Sequence, residues 1–149
     1  MEKDTEQVFS DIVYSVCKSV SEISGRSGMA YISMVGKNLL KLVEEKEAIP
    51  ETSEDPIRSL NEFLKFFVDV GYADNLEARM ENDALYISFE NIRFYESEKL
   101  LFRDKSDVMP LYVTFAARAF LEKYYDLSLV FSSYERREGG NTTGCLKIL

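Results

Sequence analysis

Between two segments whose apolar and polar residues alternate lies a stretch, Asp107 to Tyr125, whose apolar residues recur at helical spacing. This change of period from two to about 3.6 and back again constrains the fold more than any other feature, because a helix between two hairpins has to lie against the sheet they make. Its apolar positions are Val108, Leu111, Val113, Phe115, Ala116, Ala119, Phe120 and Tyr124. The small residues Ala116, Ala117 and Ala119 let another backbone come close. Ser106 or Asp107 is expected to cap the first turn, and Asp126 to close the far end before the strand-like run Leu129, Val130, Phe131. Nothing on this helix is an obvious catalytic group.

Three helices are expected ahead of it. Val8, Ile12, Val13, Val16, Val20 and Ile23 recur at three- and four-residue steps up to a stop at Gly25, and Gly28 marks a tight connection. The second helix spans Met29 to about Glu47, with Ile32, Val35, Leu39, Leu40 and Val43 on one face. Gly36 in its middle lowers helix propensity by about 1 kcal/mol relative to Ala, so it is read as a close contact with another helix. After the loop Ile49 to Glu54, Asp55-Pro56 is a helix start with Asp as cap and Pro in the first turn. This third helix carries Ile57, Leu60, Phe63, Leu64, Phe67 and Val68 on one face and ends at Gly71.

From Leu76 the period becomes two: Leu76, Ala78 and Met80, a turn at Glu81-Asn82-Asp83, then Leu85, Ile87 and Phe89. A second hairpin is expected from Leu129, Phe131 and Ser133, through a turn at Glu138-Gly139-Gly140-Asn141, to Thr143, Cys145, Leu146 and Ile148. Between the first hairpin and the central helix, Asn91 to Lys105 mixes Phe94, Tyr95, Leu100, Leu101 and Phe102 with charged residues, and reads as a short helix or a covering loop. The expected fold class is α+β: three N-terminal helices, then hairpin, central helix and hairpin, the four strands forming one antiparallel sheet packed on the helices. At 149 residues the chain is one domain, spanning 1–149.

Composition removes several classes of function. A net charge of −8 argues against a nucleic-acid surface, and Arg136-Arg137 sits between Glu135 and Glu138. Histidine is absent, which takes away the commonest metal ligand and the commonest general base near neutral pH. Cys17 and Cys145 show no metal or disulfide spacing, and Cys17, beside Val13, Val16 and Val20, reads as a small core residue rather than a reactive thiol. No apolar run approaches the ~18 residues that a membrane span needs, and the charged N-terminus is not followed by the apolar core of a signal peptide. A cytoplasmic protein with no cofactor is the expectation. The sequence contains no GxSxG, GxxxxGK[ST], GxGxxG or HExxH pattern.

The order of elements resembles a known family. Two amphipathic helices with a mid-helix glycine (Ala30-Tyr31-Ile32-Ser33-Met34-Val35-Gly36-Lys37-Asn38-Leu39-Leu40), a helix ending in Gly71-Tyr72, a hairpin, the small-residue helix Phe115-Ala116-Ala117-Arg118-Ala119-Phe120-Leu121-Glu122 and a last strand Gly144-Cys145-Leu146-Lys147-Ile148 resemble the 4-vinyl reductase (4VR) domain. That family is similar in fold to the Bet3-type subunits of the TRAPP vesicle-tethering complex. The resemblance implies a small-molecule binding or sensing domain that pairs through its N-terminal helices. Many members carry a zinc-binding cysteine cluster; here only Cys145 matches it, and one thiolate cannot make a structural zinc site of about four ligands, so no metal is carried over.

Three readings follow. The first is a non-catalytic domain for an apolar or aromatic ligand, held between Phe63 and Phe67 of the third helix, Phe115 and Ala119 of the central helix, and Ile87 and Phe89 of the sheet, with Asn91 to Lys105 as cover. The second is an interaction or scaffold module of the vesicle-tethering kind. The third is a reductase, although no nucleotide-binding loop is visible. A homodimer is expected, because three amphipathic helices offer more apolar surface than one four-stranded sheet covers, and the first two helices are its expected interface.

Overall fold

The change of period near residue 75 is where helices give way to strands. The three amphipathic stretches form α1 (Glu2–Ser24), α2 (Met29–Glu45) and α3 (Pro56–Asp69), with a 3-10 turn at Gly25–Gly28 between the first two. The alternating segments form β1 (Asn75–Glu81), β2 (Ala84–Glu90), β3 (Leu129–Arg136) and β4 (Thr142–Ile148), and between the hairpins stand α4 (Tyr95–Arg103) and α5 (Tyr112–Tyr125). The computed structural model describes residues 2–137 and 140–149. The architecture is the expected α+β one: a single antiparallel sheet in the order β1-β2-β4-β3, with the second strand of each hairpin at its centre. Of the turn expected at Glu138-Gly139-Gly140-Asn141, Glu138 and Gly139 lie outside the described residues.

Local chemistry accounts for most boundaries. Asp55 caps α3, its carboxylate accepting from the backbone N–H of Ile57 at 3.0 Å and of Arg58 at 3.3 Å. The β1–β2 turn is the two residues Asn82 and Asp83, both at positive φ, as a tight hairpin requires. The Asn91 to Lys105 segment is a helix, α4, bounded by Asn91 and Lys105, which themselves take positive φ.

The central helix departs from expectation at its start: α5 begins at Tyr112 rather than Asp107. Pro110 keeps the residue before it out of the helical region, and Leu111, the residue flanking the helix, makes no side-chain cap. Ser106 instead turns the approach: its hydroxyl accepts from the Val108 N–H and donates to the Val108 carbonyl. The Asp107 N–H donates to the Ser21 hydroxyl of α1. Asp126 does close the far end, in the left-handed conformation at φ 53.

Strand register decides which side chains meet the helices. Leu76, Ala78 and Met80 pair with Phe89, Ile87 and Leu85 and face inward, and Ile87 and Leu85 pair in turn with Gly144 and Leu146. On β3 a bulge between Phe131 and Ser133 breaks the alternation, so that Phe131 pairs with Leu146 but Tyr134 pairs with Gly144 and Arg136 with Thr142. The expected inward residue Ser133 is therefore on the outer face, opposite Cys145. One extra residue has moved Tyr134 and Arg136 to the helix side.

The helix α5 lies between α2 and the sheet. On one side the backbone of α2 approaches at Gly36, where a Cβ would stand 2.5 Å from the Phe115 carbonyl carbon. On the other, the Thr114 side chain rests on Gly144, within 3.0 Å of where a Cβ there would be. Beside it, α3 covers β1 and Asn61 ties the two, accepting from the Ala78 N–H at 2.8 Å and donating to the Ala78 carbonyl at 3.0 Å. This bidentate contact satisfies backbone groups on an edge strand that water or another strand would otherwise take.

The Gly36 contact leaves no room for a methyl group, because backbone atoms cannot yield as a side-chain tip does. Gly36→Ala is expected to destabilise the fold by about 2 kcal/mol or more despite the better helix propensity of Ala. Urea unfolding of the variant checks this, and unchanged or increased stability contradicts the close approach.

Candidate functional site

All six residues expected to hold a ligand are buried: Phe63, Phe67, Ile87, Phe89, Phe115 and Ala119. Phe63 stacks on Phe120 at 4.7 Å and meets Phe67 edge-on at 5.4 Å; Phe67 and Phe89 are joined through Tyr72, 6.2 Å from each. Phe115 and Ala119 are turned to the other side of α5. Phe115 backs onto Gly36 and lies 5.8 Å from Phe131, and Ala119 borders a surface cleft of about 350 Å³ with Met34, Leu40 and Glu44 of α2.

Surplus apolar surface is concentrated on α1. The expected single apolar face is split: Val13 and Cys17 are buried, whereas Val8, Phe9, Ile12, Val16 and Ile23 are 58%, 50%, 55%, 49% and 84% exposed. On α2, Tyr31, Met34 and Leu42 are also exposed. The α1 stripe continues into a cleft of about 500 Å³ lined by Phe9, Val70, Gly71, Tyr72, Arg93 and Phe94, and into an adjoining groove of about 370 Å³ lined by Thr5, Val8, Phe9 and Ile12. Phe9 borders both, so the stripe and the two clefts form one continuous apolar surface.

Behind that surface, α4 brings a charge indoors. Ser97, Glu98 and Leu101 share the buried face of α4, with Phe94 buried at its N-terminal flank, and Glu98 is fully buried. Tyr134, moved inward by the β3 bulge, donates its hydroxyl to Glu98 Oε2, while Oε1 has no hydrogen-bond partner among the described residues. Arg136 Nη1 and Thr142 Oγ1 are likewise buried and have no hydrogen-bond partner among the described residues. Arg136 lies instead over the rings of Tyr95 and Phe102, at 5.5 Å and 5.0 Å. Burial pushes the Glu98 carboxyl up to about 7, against the Tyr134 hydrogen bond and the Arg136 charge, both of which pull it down. Burial also raises Tyr72 and Tyr134 well above the usual phenol range.

The end of α4 is fastened differently. Asp104 accepts from the Tyr14 hydroxyl and from Lys18 Nζ at 2.9 Å, both on α1, and from Arg103 Nε at 3.0 Å. These donors, Arg103 first, hold the Asp104 carboxyl well below the usual carboxylate range. Sequence reasoning missed this group and the Glu98 cluster. The available signal was Glu98 itself, a carboxylate at the apolar spacing of Phe94 and Leu101.

A scan against protein-family models and a search of curated proteins find no match to this chain. Among the described residues no group of three or more His, Cys, Asp or Glu side chains is placed to hold a metal ion. No helix among them is long and apolar enough to cross a membrane.

Cys17 and Cys145 are both free and buried. The Cys17 thiol, 3.8 Å from the Tyr112 hydroxyl, is pushed up to about 11 by burial. A shift of this size cuts the reactive thiolate roughly a hundredfold relative to an ordinary cysteine. Cys17 is therefore expected to stay unlabelled by a small thiol reagent near pH 8 until the chain is unfolded in urea. Mass analysis of the Cys17 peptide reads this, and rapid labelling in the folded protein contradicts it.

Proposed function

We propose that the chain is a non-catalytic binding module that works as a homodimer, paired through the outer faces of α1 and α2. The observation that carries this reading is the exposed stripe Val8, Phe9, Ile12 and Val16 on α1, two helical turns of large apolar side chains on the outside of the fold. A second copy of the same face covers such a stripe symmetrically, and burial returns about 25 cal/mol for each Å² of apolar surface. The resemblance of the element order to the 4VR domain, a family similar in fold to tethering subunits, supports the same reading as an interaction module.

The test is oligomeric state. Sedimentation equilibrium is expected to show a dimer at tens of micromolar, and Ile12→Asp or Val16→Asp to weaken it by about tenfold or more, since each places a charge in the apolar interface. A monomer at that concentration refutes the pairing.

An apolar or aromatic ligand, the first reading from the sequence, is here the alternative, favoured by the cleft of about 500 Å³ at Phe9, Tyr72 and Phe94. Phe67 and Phe89 meet Tyr72, which lines that cleft, so its occupant would sit against the outer end of the aromatic cluster. Native mass spectrometry of freshly purified protein is expected to find such a molecule copurified, lost in Phe94→Asp; a bare chain in repeated preparations counts against this reading and leaves the pairing untouched.

A further inference from the structure

The buried carboxylate on α4 has no place in either reading. It sits at the middle of a nine-residue helix that is anchored at its ends. Ahead of it, the Arg93 N–H donates to the Tyr72 carbonyl and the Arg93 side chain pairs with Asp74 at 2.9 Å. Behind it, Asp104 is held by Tyr14 and Lys18. Between these anchors Glu98 is the polar link from α4 to β3, made through the Tyr134 hydroxyl.

We propose that Glu98 is a proton-operated latch: with its carboxyl neutral α4 is closed on β3, and with the carboxyl ionised α4 loosens from the sheet while α5 and the strands stay folded.

The groups that face Glu98 come from each surrounding element. They are Cys17 on α1, Tyr72 in the turn after α3, and Tyr134 and Arg136 on β3. Arg136 is the one cation in this set; it favours the charged form but lies over Tyr95 and Phe102 and makes no ion pair with Glu98. A neutral acid accepts from Tyr134 on Oε2 and leaves one uncharged hydroxyl, on Oε1, without a partner, a smaller penalty than a bare charge. A carboxylate leaves a charged Oε1 bare in the interior, which is far more unfavourable than an unpaired hydroxyl unless water reaches it. The cheapest route for water is to lift the element that carries the charge, because a nine-residue helix has little stability of its own. Both ends of the segment, Asn91 and Lys105, already take positive φ and mark where the chain turns onto and off α4.

The direction follows from proton linkage. Burial raises Glu98 from its ordinary 4.5 to about 7, so the closed form holds a proton that the open form releases. Closure is fully favoured below the ordinary value and is lost as pH rises through about 7. The chain has no histidine, so the usual side chain for sensing pH in this range is absent and the carboxyl takes its place.

The test is amide hydrogen exchange of the full chain at about pH 5.5 and about pH 8.5, either side of the carboxyl's value and corrected for the intrinsic chemical rate. The α4 amides are expected to lose protection by about thirtyfold across this interval, with the α5 and β4 amides unchanged. Glu98→Gln is expected to keep α4 protected at both values. Unchanged α4 protection in the wild-type chain overturns the latch, as does an equal loss in α5 and β4. So does a Glu98→Gln variant that keeps the pH dependence or is unprotected at both values. Should that variant not fold, the wild-type infrared spectrum decides: a protonated carboxyl band present at about pH 5.5 and gone by about pH 8.5 supports the latch, and its absence at the lower value overturns it.

Discussion

The approach of α2 to α5 at Gly36 is the contact on which the rest of this structure depends. A missing side chain there brings the α2 backbone against Phe115 and Ala116, and the small residues of α5 answer it from the other side. With α5 held this close, its far face reaches the sheet, where Thr114 lies on Gly144, and reaches α3, where Phe120 stacks on Phe63. Two glycines on different elements thus set the spacing of three layers. Packing at interior density leaves no alternative spacing, since even one methyl group is felt.

That spacing also determines what is left outside. α2 takes the outer side of α5 and α3 takes β1, so α1 docks through a narrow row, Val13 and Cys17, and through the α4 contact at Asp104. A helix held along so narrow a row keeps its second apolar stripe in solvent. The exposed surface of this protein and its tight interior have the same origin.

The polar interior comes from a single inserted residue. Without the bulge, Tyr134 and Arg136 would follow the alternation set by Phe131 to the outer face, and Glu98 would have no hydrogen bond at all. With it, a carboxylate, a guanidinium and two hydroxyl groups meet beneath α4, with three polar atoms among them left without a partner among the described residues. Buried polar groups are ordinarily satisfied, and a cluster that is not has to be accounted for by what it does. Such an arrangement adds little stability and gives the element above it a dependence on protonation.

What the sequence determined by itself is local. Period separates helix from strand over nearly the whole chain, because burial on one face leaves its mark at 3.6 or at two residues whatever the partner is. Asp55-Pro56 starts a helix by its own hydrogen bonds, and Gly36 announces a close contact, since a glycine in mid-helix needs a reason. Tertiary structure decided the rest. α1 carries two stripes, Val13 with Cys17 and Val8 with Ile12 and Val16, each compatible with helical spacing, and only docking against α4 and the turn at Val108 selects the first. The parity of β3 beyond Phe131 is invisible in a run such as Ser132-Ser133, where either residue is at home on a wet face. Glu98 reads as one more surface carboxylate until a bulge on another strand, distant in sequence, places a tyrosine over it. Periodicity records whether a face is buried; what buries it is settled by chain segments far away, and the protonation of Glu98 is settled with it.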